Sequence, residues 1–302
     1  MKSNEDFDVI IVGAGPGGSS AAYFLSQKGI KALLVDQARF PRDKPCGGEI
    51  STHILEKHPH LYKFMDQPMK KAICHYKAPK YDISISTDQP IAYFVRRIEF
   101  DNHLFQLAKS QNVKTKEKAR VSKILEEKDF VRIIMEDGTE FKSKFVIGAD
   151  GVGSVVRRNT KLQKYWKKEI LGLAFVKEFE VNPAKIDRYY TKDRISRIHF
   201  GFGDEKKYGY GWIFVKSKSI NVGYGEIKKA DPKEMHSRFL KYINFCIENN
   251  LLPPEEIPNI SKSHHLQING PMKKTATNRI LLIGDAAGYD HAVTGEGISF
   301  AI

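Results

Sequence analysis

The sequence has 302 residues, of which 41% are hydrophobic and 28% charged, and its formal net charge is +13. This composition is typical of a folded globular protein, and no apolar run is long enough to span a bilayer. The three cysteines are few and widely spaced, so we expect a reducing compartment, no disulfide framework and no bound metal. The start of the chain is polar and acidic and lacks the features of a secretory signal.

The first predicted elements form a strand–helix–strand unit. Residues 7–12 (FDVIIV) are a short apolar run ending at a glycine, which indicates a buried parallel strand. Small and apolar residues recur along residues 19–28, which predicts a helix able to lie close to a sheet, and Gly29 ends it. A second buried strand is predicted at residues 31–35 and leads into Asp36. A βαβ unit of this kind predicts a parallel sheet.

Between residues 40 and 149, prolines, glycines and the periodicity of apolar residues indicate an irregular stretch, a helix and a hairpin. Residues 40–51 are irregular, with two prolines and two adjacent glycines. Residues 100–110 (FDNHLFQLAKS) predict an amphipathic helix. Residues 131–146 predict a hairpin that turns at residues 136–138 (EDG), and a buried strand is predicted at residues 145–149.

The pattern changes in the second half of the chain. Between about residue 166 and residue 271, alternating strands such as 197–202 and 210–216 predict an antiparallel sheet with one long helix near 233–248. The buried-strand pattern returns at residues 279–283 (RILLI). We therefore predict a discontinuous nucleotide-binding domain of residues 1–72, 93–165 and 272–302, and a substrate-binding domain of residues 73–92 and 166–271.

A glycine motif lies between the first predicted strand and helix. Gly13 allows the tight turn, Gly15 lets the backbone approach a pyrophosphate, and Gly18 allows the helix to pack closely on the strand. The N-terminus of that helix offers free N–H groups and a positive dipole end to phosphates. Asp36 stands at the end of the second strand, where a carboxylate accepts hydrogen bonds from ribose hydroxyls. These features together predict dinucleotide binding, by a loop that also contains Ala14, Pro16 and Gly17.

Two later segments carry a resemblance to a known superfamily. Residues 148–151 read GADG, and residues 284–288 read GDAAG, followed by TGEG at 294–297. The glycine motif at residues 13–18 and these two segments, in this order, resemble the motifs of the flavoprotein hydroxylase superfamily, which has the fold of para-hydroxybenzoate hydroxylase. The resemblance implies an α/β fold with FAD as the dinucleotide. It also implies that Asp285 accepts hydrogen bonds from the ribityl chain and that the backbone of Gly295–Ile298 contacts the pyrimidine edge. Arg97 would reach the FAD, and the backbone of Val121 would contact the adenine.

Two further segments narrow the family. Residues 40–51 (FPRDKPCGGEIS) are similar to the D-K-x-C-G-G loop of the geranylgeranyl reductases, and residues 210–216 (YGWIFVK) resemble their Y-x-W-x-F-P-K segment. Val215 stands where that family has proline. The resemblance implies that the chain reduces isoprenoid double bonds with FAD. It implies a catalytic role for Cys46 and substrate contacts for Tyr210, Trp212 and Phe214. Together with the glycine loop, the residues expected to bind FAD are Gly13, Ala14, Gly15, Pro16, Gly17, Gly18, Asp36, Cys46, Gly47, Arg97, Val121, Asp150, Gly151, Asp285, Gly295, Gly297 and Ile298.

Simpler interpretations of several of these residues remain open. Cys46 could be a small residue in a tight loop, and Tyr210 and Trp212 could be core aromatics. Lys44 and Lys216 could be surface lysines. The pair of histidines at 264–265 is interpreted as exposed loop, because no third metal ligand accompanies it.

Three functions are compatible with these motifs. The first is an FAD-dependent reductase of geranylgeranyl chains on a lipid or prenyl phosphate. The second is a monooxygenase or halogenase of the same superfamily, which the cysteine loop disfavours. The third is a flavin-binding protein without turnover, because the chain ends soon after residues 294–297, where family members continue with further helices.

The expected partners follow from the charge and the substrate class. Basic clusters at residues 70–71, 161–168 and 273–274 are either a solvated surface or an attraction to anionic lipid or prenyl phosphate. We expect a cytoplasmic protein that could contact the anionic membrane face peripherally. NAD(P)H or ferredoxin would bind transiently as electron donor, since no second nucleotide-binding βαβ unit is visible. No nucleic-acid-binding signature accompanies the charge, so no nucleic-acid partner is expected.

Overall fold

The computed structural model describes residues 2–77, 81–162, 166, 171–202, 209–227, 231–267 and 270–302. The chain divides into two compact units. Unit 1 comprises Met1–Asp43, Arg97–Lys167 and Gln267–Ile302, and unit 2 comprises Lys44–Arg96 and Lys168–Leu266. Residues 44–72 and 93–96, which are predicted above as parts of the nucleotide-binding domain, fall in unit 2. The basic cluster at 161–168 lies partly outside the described residues.

The elements are numbered in chain order. The described helices are α1 (Pro16–Gln27), α2 (Thr52–Lys57), α3 (Arg97–Ser110), α4 (Val155–Arg158), α5 (Pro183–Tyr190), α6 (Pro232–Glu248) and α7 (Ile298–Ala301), with 3-10 turns at Pro59–Phe64, Pro254–Glu256 and Gly284–Ala286. The described strands are β1 (Lys2–Val12), β2 (Ala32–Val35), β3 (Glu49–Ser51), β4 (Gln67–Met69), β5 (Lys71–Tyr76), β6 (Tyr81–Ser86), β7 (Ala92–Phe94), β8 (Lys114–Lys116), β9 (Val121–Glu126), β10 (Val131–Met135), β11 (Glu140–Gly148), β12 (Leu171–Glu180), β13 (Ser196–Phe200), β14 (Gly209–Val215), β15 (Ser219–Ile227), β16 (Lys262–Gln267) and β17 (Ile280–Leu282).

Unit 1 is built on a sheet whose central strand is β1. The strand order is β8-β2-β1-β11-β10-β9, and β17 also pairs with β11. Strands β2 and β11 run parallel to β1, and β17 runs parallel to β11, so the predicted parallel sheet is confirmed. Successive residues of β1, such as Ile10 and Ile11, are fully buried in two different apolar clusters. Both faces of the strand are therefore covered, which explains its continuous apolar sequence.

Unit 2 is built on a second sheet with the order β16-β12-β15-β14-β13-β5-β6. Alternate residues of β14 pack on opposite faces. Ile213 and Val215 join a cluster with α6, whereas Trp212 and Phe214 join a cluster with Phe94. A small antiparallel sheet, β3-β7-β4, belongs to the same unit.

Most predicted elements are confirmed with shifted ends. Helix α1 begins at Pro16 and not at residue 19, because proline has a helical φ and needs no N–H at the first helical position. Helix α3 begins at Arg97, three residues before the predicted start. The hairpin between β10 and β11 turns at Gly138, whose φ is +79°. None of the described helices is both long and apolar enough to cross a membrane.

The predicted antiparallel second sheet is confirmed, and it includes one parallel pairing. Strand β13 pairs with β5 in parallel, and β5 pairs with β6 as an antiparallel hairpin. A hairpin from residues 71–86 has therefore been added to the edge of a sheet built mainly from residues 171–267. Such a long-range pairing leaves no local periodicity in the sequence. The sequence therefore places residues 73–92 in this domain without predicting which strand they pair with.

Candidate functional site

The predicted glycine loop of unit 1 has the backbone that the motif requires. Gly13 has a φ of +98°, and a Cβ there would collide with the carbonyl of Ala149. A Cβ on Gly18 would collide with the carbonyl oxygen of Gly13, so the first turn of α1 packs directly on the end of β1. Gly15 caps α1 without any side-chain hydrogen bond, which leaves the first N–H groups of the helix to a ligand. The loop therefore fits a phosphate group.

Asp36 holds this loop in place. Its carboxylate accepts a hydrogen bond from the backbone N–H of Ala14 at 2.7 Å and another from Ala38 at 2.8 Å. A carboxylate has lone pairs left after two such bonds, so both this anchoring and a ribose contact are chemically compatible. The backbone N–H of Ala119 donates to the carbonyl of Asp36 at 2.8 Å. This bond ties the segment just before β9, where the buried Val121 lies, to the backbone of Asp36.

Two arginines share one buried carboxylate close to the glycine loop. Arg97 donates to both oxygens of Asp101, at 2.7 and 2.8 Å, and Arg42 lies 2.8 Å from the same carboxylate. A Cβ built on Gly15 would lie 3.5 Å from a terminal nitrogen of Arg42. Arg42 thus places a guanidinium group near the loop, which suits an anionic ligand. Arg42 was not among the predicted site residues, because it lies in the irregular stretch 40–51 and matches no motif.

The second motif folds as a helix cap. Asp150 accepts hydrogen bonds from the hydroxyl of Ser154 at 2.5 Å and from the backbone N–H of Val155 at 2.6 Å, at the start of α4. Burial raises the pKa of the Asp150 carboxyl, and these hydrogen bonds oppose the rise. Arg157 donates to the carbonyl of Val152 at 3.0 Å. Its guanidinium carbon also lies 4.3 Å from the centre of the Trp166 ring. The carboxylate thus fixes the local backbone, and its predicted contact with FAD stays a prediction.

The third motif lies against the first in unit 1. A Cβ on Gly17 would lie 2.8 Å from the carbonyl oxygen of Ala301, so α7 contacts the start of α1. A Cβ on Gly297 would lie 3.3 Å from the Asp285 carboxylate and would collide with that of Asp290. Asp290 is 5% exposed and was missed by the sequence analysis. Unit 1 therefore brings together the segments around residues 13–18, 149–150, 284–285 and 297–301.

The cysteine loop belongs to unit 2 and is fixed at both ends of its glycine pair. A Cβ on Gly47 would lie 2.7 Å from the ring of Phe214. Gly48 has a φ of +78°, and its amide lies 3.4 Å from the sulfur of Cys46. The carbonyl of Cys46 accepts a hydrogen bond from the side chain of Asn221 at 2.9 Å. The loop is therefore packed against the segment that the sequence analysis compared with the Y-x-W-x-F-P-K motif.

That segment forms an aromatic stripe, defined by Tyr210, Trp212 and Phe214 on one face of β14. Neighbouring ring centres are 5.7 and 6.1 Å apart. Trp212 and Phe214 are only 7% and 6% exposed, and the Trp212 ring covers Gly223. Burial raises the pKa of the Tyr210 hydroxyl, with smaller contributions from nearby Glu49 and Cys46. The stripe is thus packed against the cysteine loop.

A buried polar network supports the loop and the stripe. Lys216 is 0% exposed, which overturns its interpretation as a surface lysine. Its amine donates to Glu178 at 2.7 Å and to the carbonyl of Val95 at 2.8 Å. Asn221 links the network to the stripe, since it donates to Glu178 at 2.9 Å and accepts from the indole N–H of Trp212 at 2.8 Å. Glu178 and Asn221 were not among the predicted site residues, because each lies in a strand that also contains other polar residues.

The structure also places Lys44 and the histidine pair. Lys44, which could be a surface lysine, is partly buried. The histidines at 264–265 lie on strand β16 and not in a loop, so that interpretation is wrong. The ring of His265 lies 3.3 Å from the carbonyl of Gly172 on β12. The part of the chain that the structure describes contains no group of three or more metal-ligating side chains.

Comparisons with known proteins identify the family to which this chain belongs. The sequence model of a family described as FAD binding domain matches residues 6–302. The digeranylgeranylglycerophospholipid reductase of Methanococcus aeolicus is 31% identical, with 99% of this chain and 74% of the relative aligned. The enzyme of the same name from Methanocaldococcus jannaschii is 30% identical, over 99% of this chain and 75% of the relative.

A solved structure agrees with the fold. The geranylgeranyl bacteriochlorophyll reductase-like protein of Thermoplasma acidophilum superimposes with a TM-score of 0.83 at 22% identity. The superposition covers 98% of this chain and 75% of that protein. At this identity the likeness supports the predicted para-hydroxybenzoate hydroxylase-like fold and no more.

Proposed function

This chain belongs to the FAD binding domain family and is an FAD-dependent oxidoreductase of the geranylgeranyl reductase type, and we propose that it reduces the C=C bonds of geranylgeranyl chains on a lipid or prenyl phosphate. One observation carries the choice of substrate. The aromatic stripe and the cysteine loop, which the sequence compares with two separate reductase motifs, pack directly on each other in unit 2. The names of the aligned archaeal relatives point to the same substrate class.

We assign the binding of FAD to unit 1. The first turn of α1 would hold the pyrophosphate, Asp36 the adenosine ribose and Asp285 the ribityl chain. Arg42 and Arg97 add positive charge, and their shared Asp101 keeps both guanidinium groups in place. When bound and reduced, FAD would supply the hydride for this chemistry.

We assign the binding of the isoprenoid chain to unit 2. An unactivated alkene has no carbonyl group that the protein could polarise, so catalysis must depend on positioning and on exclusion of water. An apolar stripe such as Tyr210, Trp212 and Phe214 binds a prenyl chain by contact and shape. One alkene carbon would take the hydride and the other a proton. We assign the proton donor to the Cys46 thiol or to a water molecule. The electron donor in this proposal is NAD(P)H or ferredoxin.

The proposal is tested on the purified protein with FAD reduced chemically in the absence of oxygen, which makes the test independent of the natural donor. Digeranylgeranylglycerophospholipid is added, and the product is analysed by mass spectrometry. The product should gain two hydrogens for each double bond reduced. The fully saturated lipid is the control and should not change. Reduced flavin that is never reoxidised by the unsaturated lipid would refute the proposal. Oxygen-dependent hydroxylation or halogenation of an added substrate would favour the monooxygenase or halogenase alternative.

A pair of variants tests the assignment of the stripe. Trp212→Leu should raise KM for the prenyl substrate without changing FAD content, because it shortens the apolar surface. Phe239→Leu is the matched control, since Phe239 is buried against the opposite face of the same sheet. Equal changes of KM in both variants would show that the stripe does not bind substrate.

A further inference from the structure

The hairpin of β5 and β6 exposes an apolar face at the edge of the unit 2 sheet. Alternate residues of a strand point to opposite faces. On one face of β6, Tyr81, Ile83 and Ile85 are 56%, 68% and 40% exposed. On the other face, Asp82 contacts His75, with 2.7 Å between the carboxylate and the ring nitrogen. The strand is therefore amphipathic, and its apolar side faces solvent.

The exposed face extends across the neighbouring strands. Tyr76, 50% exposed, stacks on Tyr81 with ring centres 6.4 Å apart. Phe200 pairs with Tyr76 across the parallel strands and is 38% exposed. We name this surface the apolar edge face, and it consists of Tyr76, Tyr81, Ile83, Ile85 and Phe200. The Phe200 ring lies 5.6 Å from that of Tyr210, so the face continues into the aromatic stripe.

Charge decides between two possible occupants of this face. Strand β6 is the last described strand of its sheet, and a second copy of the chain could add a strand beside it. The net charge of +13 on each copy would oppose such an association. The same charge favours an anionic bilayer, whose surface attracts each nearby lysine by about 1 kcal/mol. Lys70 is exposed directly before β5, and the amine of Lys77 lies 5.7 Å from the centre of the Tyr76 ring.

We propose that the apolar edge face is a docking surface for an anionic lipid bilayer. Tyrosine is enriched at the membrane–water interface, where its ring meets apolar and polar surroundings at once. The open edge of β6 carries backbone groups that cannot enter hydrocarbon without partners. The hairpin therefore rests at the depth of the head groups, with Ile83 and Ile85 reaching toward the acyl chains.

This inference rests in part on the proposed function, because a geranylgeranyl lipid dissolved in a bilayer is reached only by a protein that touches the bilayer. The continuity of the apolar edge face with the aromatic stripe gives such a lipid an apolar path along one face of the sheet. Membrane binding can be measured without any reductase substrate, so the two proposals can fail separately.

The experiment measures flotation of the FAD-loaded chain with vesicles made of phosphatidylcholine and phosphatidylglycerol in equal parts. Ile83→Gln is compared with Ser84→Gln, which places the same neutral side chain on the opposite face of the same strand. Ile83→Gln should weaken binding about tenfold, because partial burial of an isoleucine is lost. Ser84→Gln should change it by less than about twofold, and pure phosphatidylcholine vesicles should bind the unaltered chain weakly.

Thermal unfolding checks that both variants fold, and a second measurement uses only the unaltered chain. Amide hydrogen exchange in residues 81–86 should slow when vesicles are added. Absence of binding to the anionic vesicles overturns the proposal, as do equal effects of the two variants. A concentration-dependent dimer that Ile83→Gln dissociates, without vesicle binding, would identify a second copy as the occupant and also overturn it. Binding without reductase activity would leave the docking surface standing and refute the proposed function.

Discussion

At the scale of single residues, His199 is a buried imidazole surrounded by groups that keep it neutral. It is 1% exposed, its ring stacks on that of His75 with centres 4.4 Å apart, and its Nδ1 lies 2.8 Å from the hydroxyl of Tyr242. Burial lowers the pKa of His199 to about 3, with further lowering by His75 and Arg197. The charged form is therefore disfavoured in the folded chain.

This shift predicts a pH dependence of stability. The unfolded chain takes up a proton at this histidine near its ordinary pKa of 6.5, whereas the folded chain does so only near 3. The free energy of unfolding should therefore fall as pH drops through this window, by about 2 kcal/mol between about pH 7 and about pH 5. Urea unfolding of His199→Gln should lack this part of the pH slope.

The exposed His53 offers the control for this measurement. His53→Gln should keep the slope of the unaltered chain, because that side chain is solvated in both states. Parallel pH profiles for His199→Gln and the unaltered chain would contradict the predicted role of burial.

At the scale of elements, Lys216 joins three segments of unit 2. It follows β14, pairs with Glu178 on β12 and donates to the carbonyl of Val95 after β7. A buried ion pair gains little over apolar packing, but removal of one partner leaves an uncompensated charge. Lys216→Met should therefore lower the free energy of unfolding by about 2 kcal/mol, because Glu178, which is 25% exposed, keeps its bond from Asn221. Chemical denaturation of the purified variant gives this value.

The ion pair of Lys71 and Asp193 is the matched comparison. Its side chains are 39% and 53% exposed, and the charged atoms are 2.6 Å apart. Lys71→Met should change stability by less than about 1 kcal/mol, because solvent screens an exposed pair. A loss for Lys216→Met as small as that for Lys71→Met would show that the network does not stabilise the junction of these strands.

At the scale of the whole molecule, the division into two units predicts where a bound cofactor acts. The segments assigned to FAD, apart from residues 46–47, belong to unit 1. FAD in hundredfold excess over its dissociation constant should stabilise the chain by about 2.7 kcal/mol. Amide hydrogen exchange followed by mass spectrometry should show slowing at residues 13–18 and around residues 284–298. Helix α6 of unit 2 is the internal control and should change least. Protection confined to unit 2 would refute the assignment of the dinucleotide to unit 1.

The sequence by itself determined the elements whose signals are local. The apolar run before the glycines, the glycine spacing and the acidic residue after the second strand predicted the βαβ unit, and the structure confirms it. These signals are readable because a tight turn, a helix start and a buried strand each depend on residues that are adjacent in the chain. The family resemblance rested on the same kind of contiguous motif.

The tertiary structure alone decided which distant residues meet. It paired β13 with β5, buried Lys216 beside Glu178, and placed Arg42 next to Gly15. Each of these contacts joins residues between 27 and 124 positions apart, and the periodicity of a strand or helix carries no record of its partner. The charge of Lys216 suggests a surface position, but the side chain is buried, because Glu178 on another strand pairs with it.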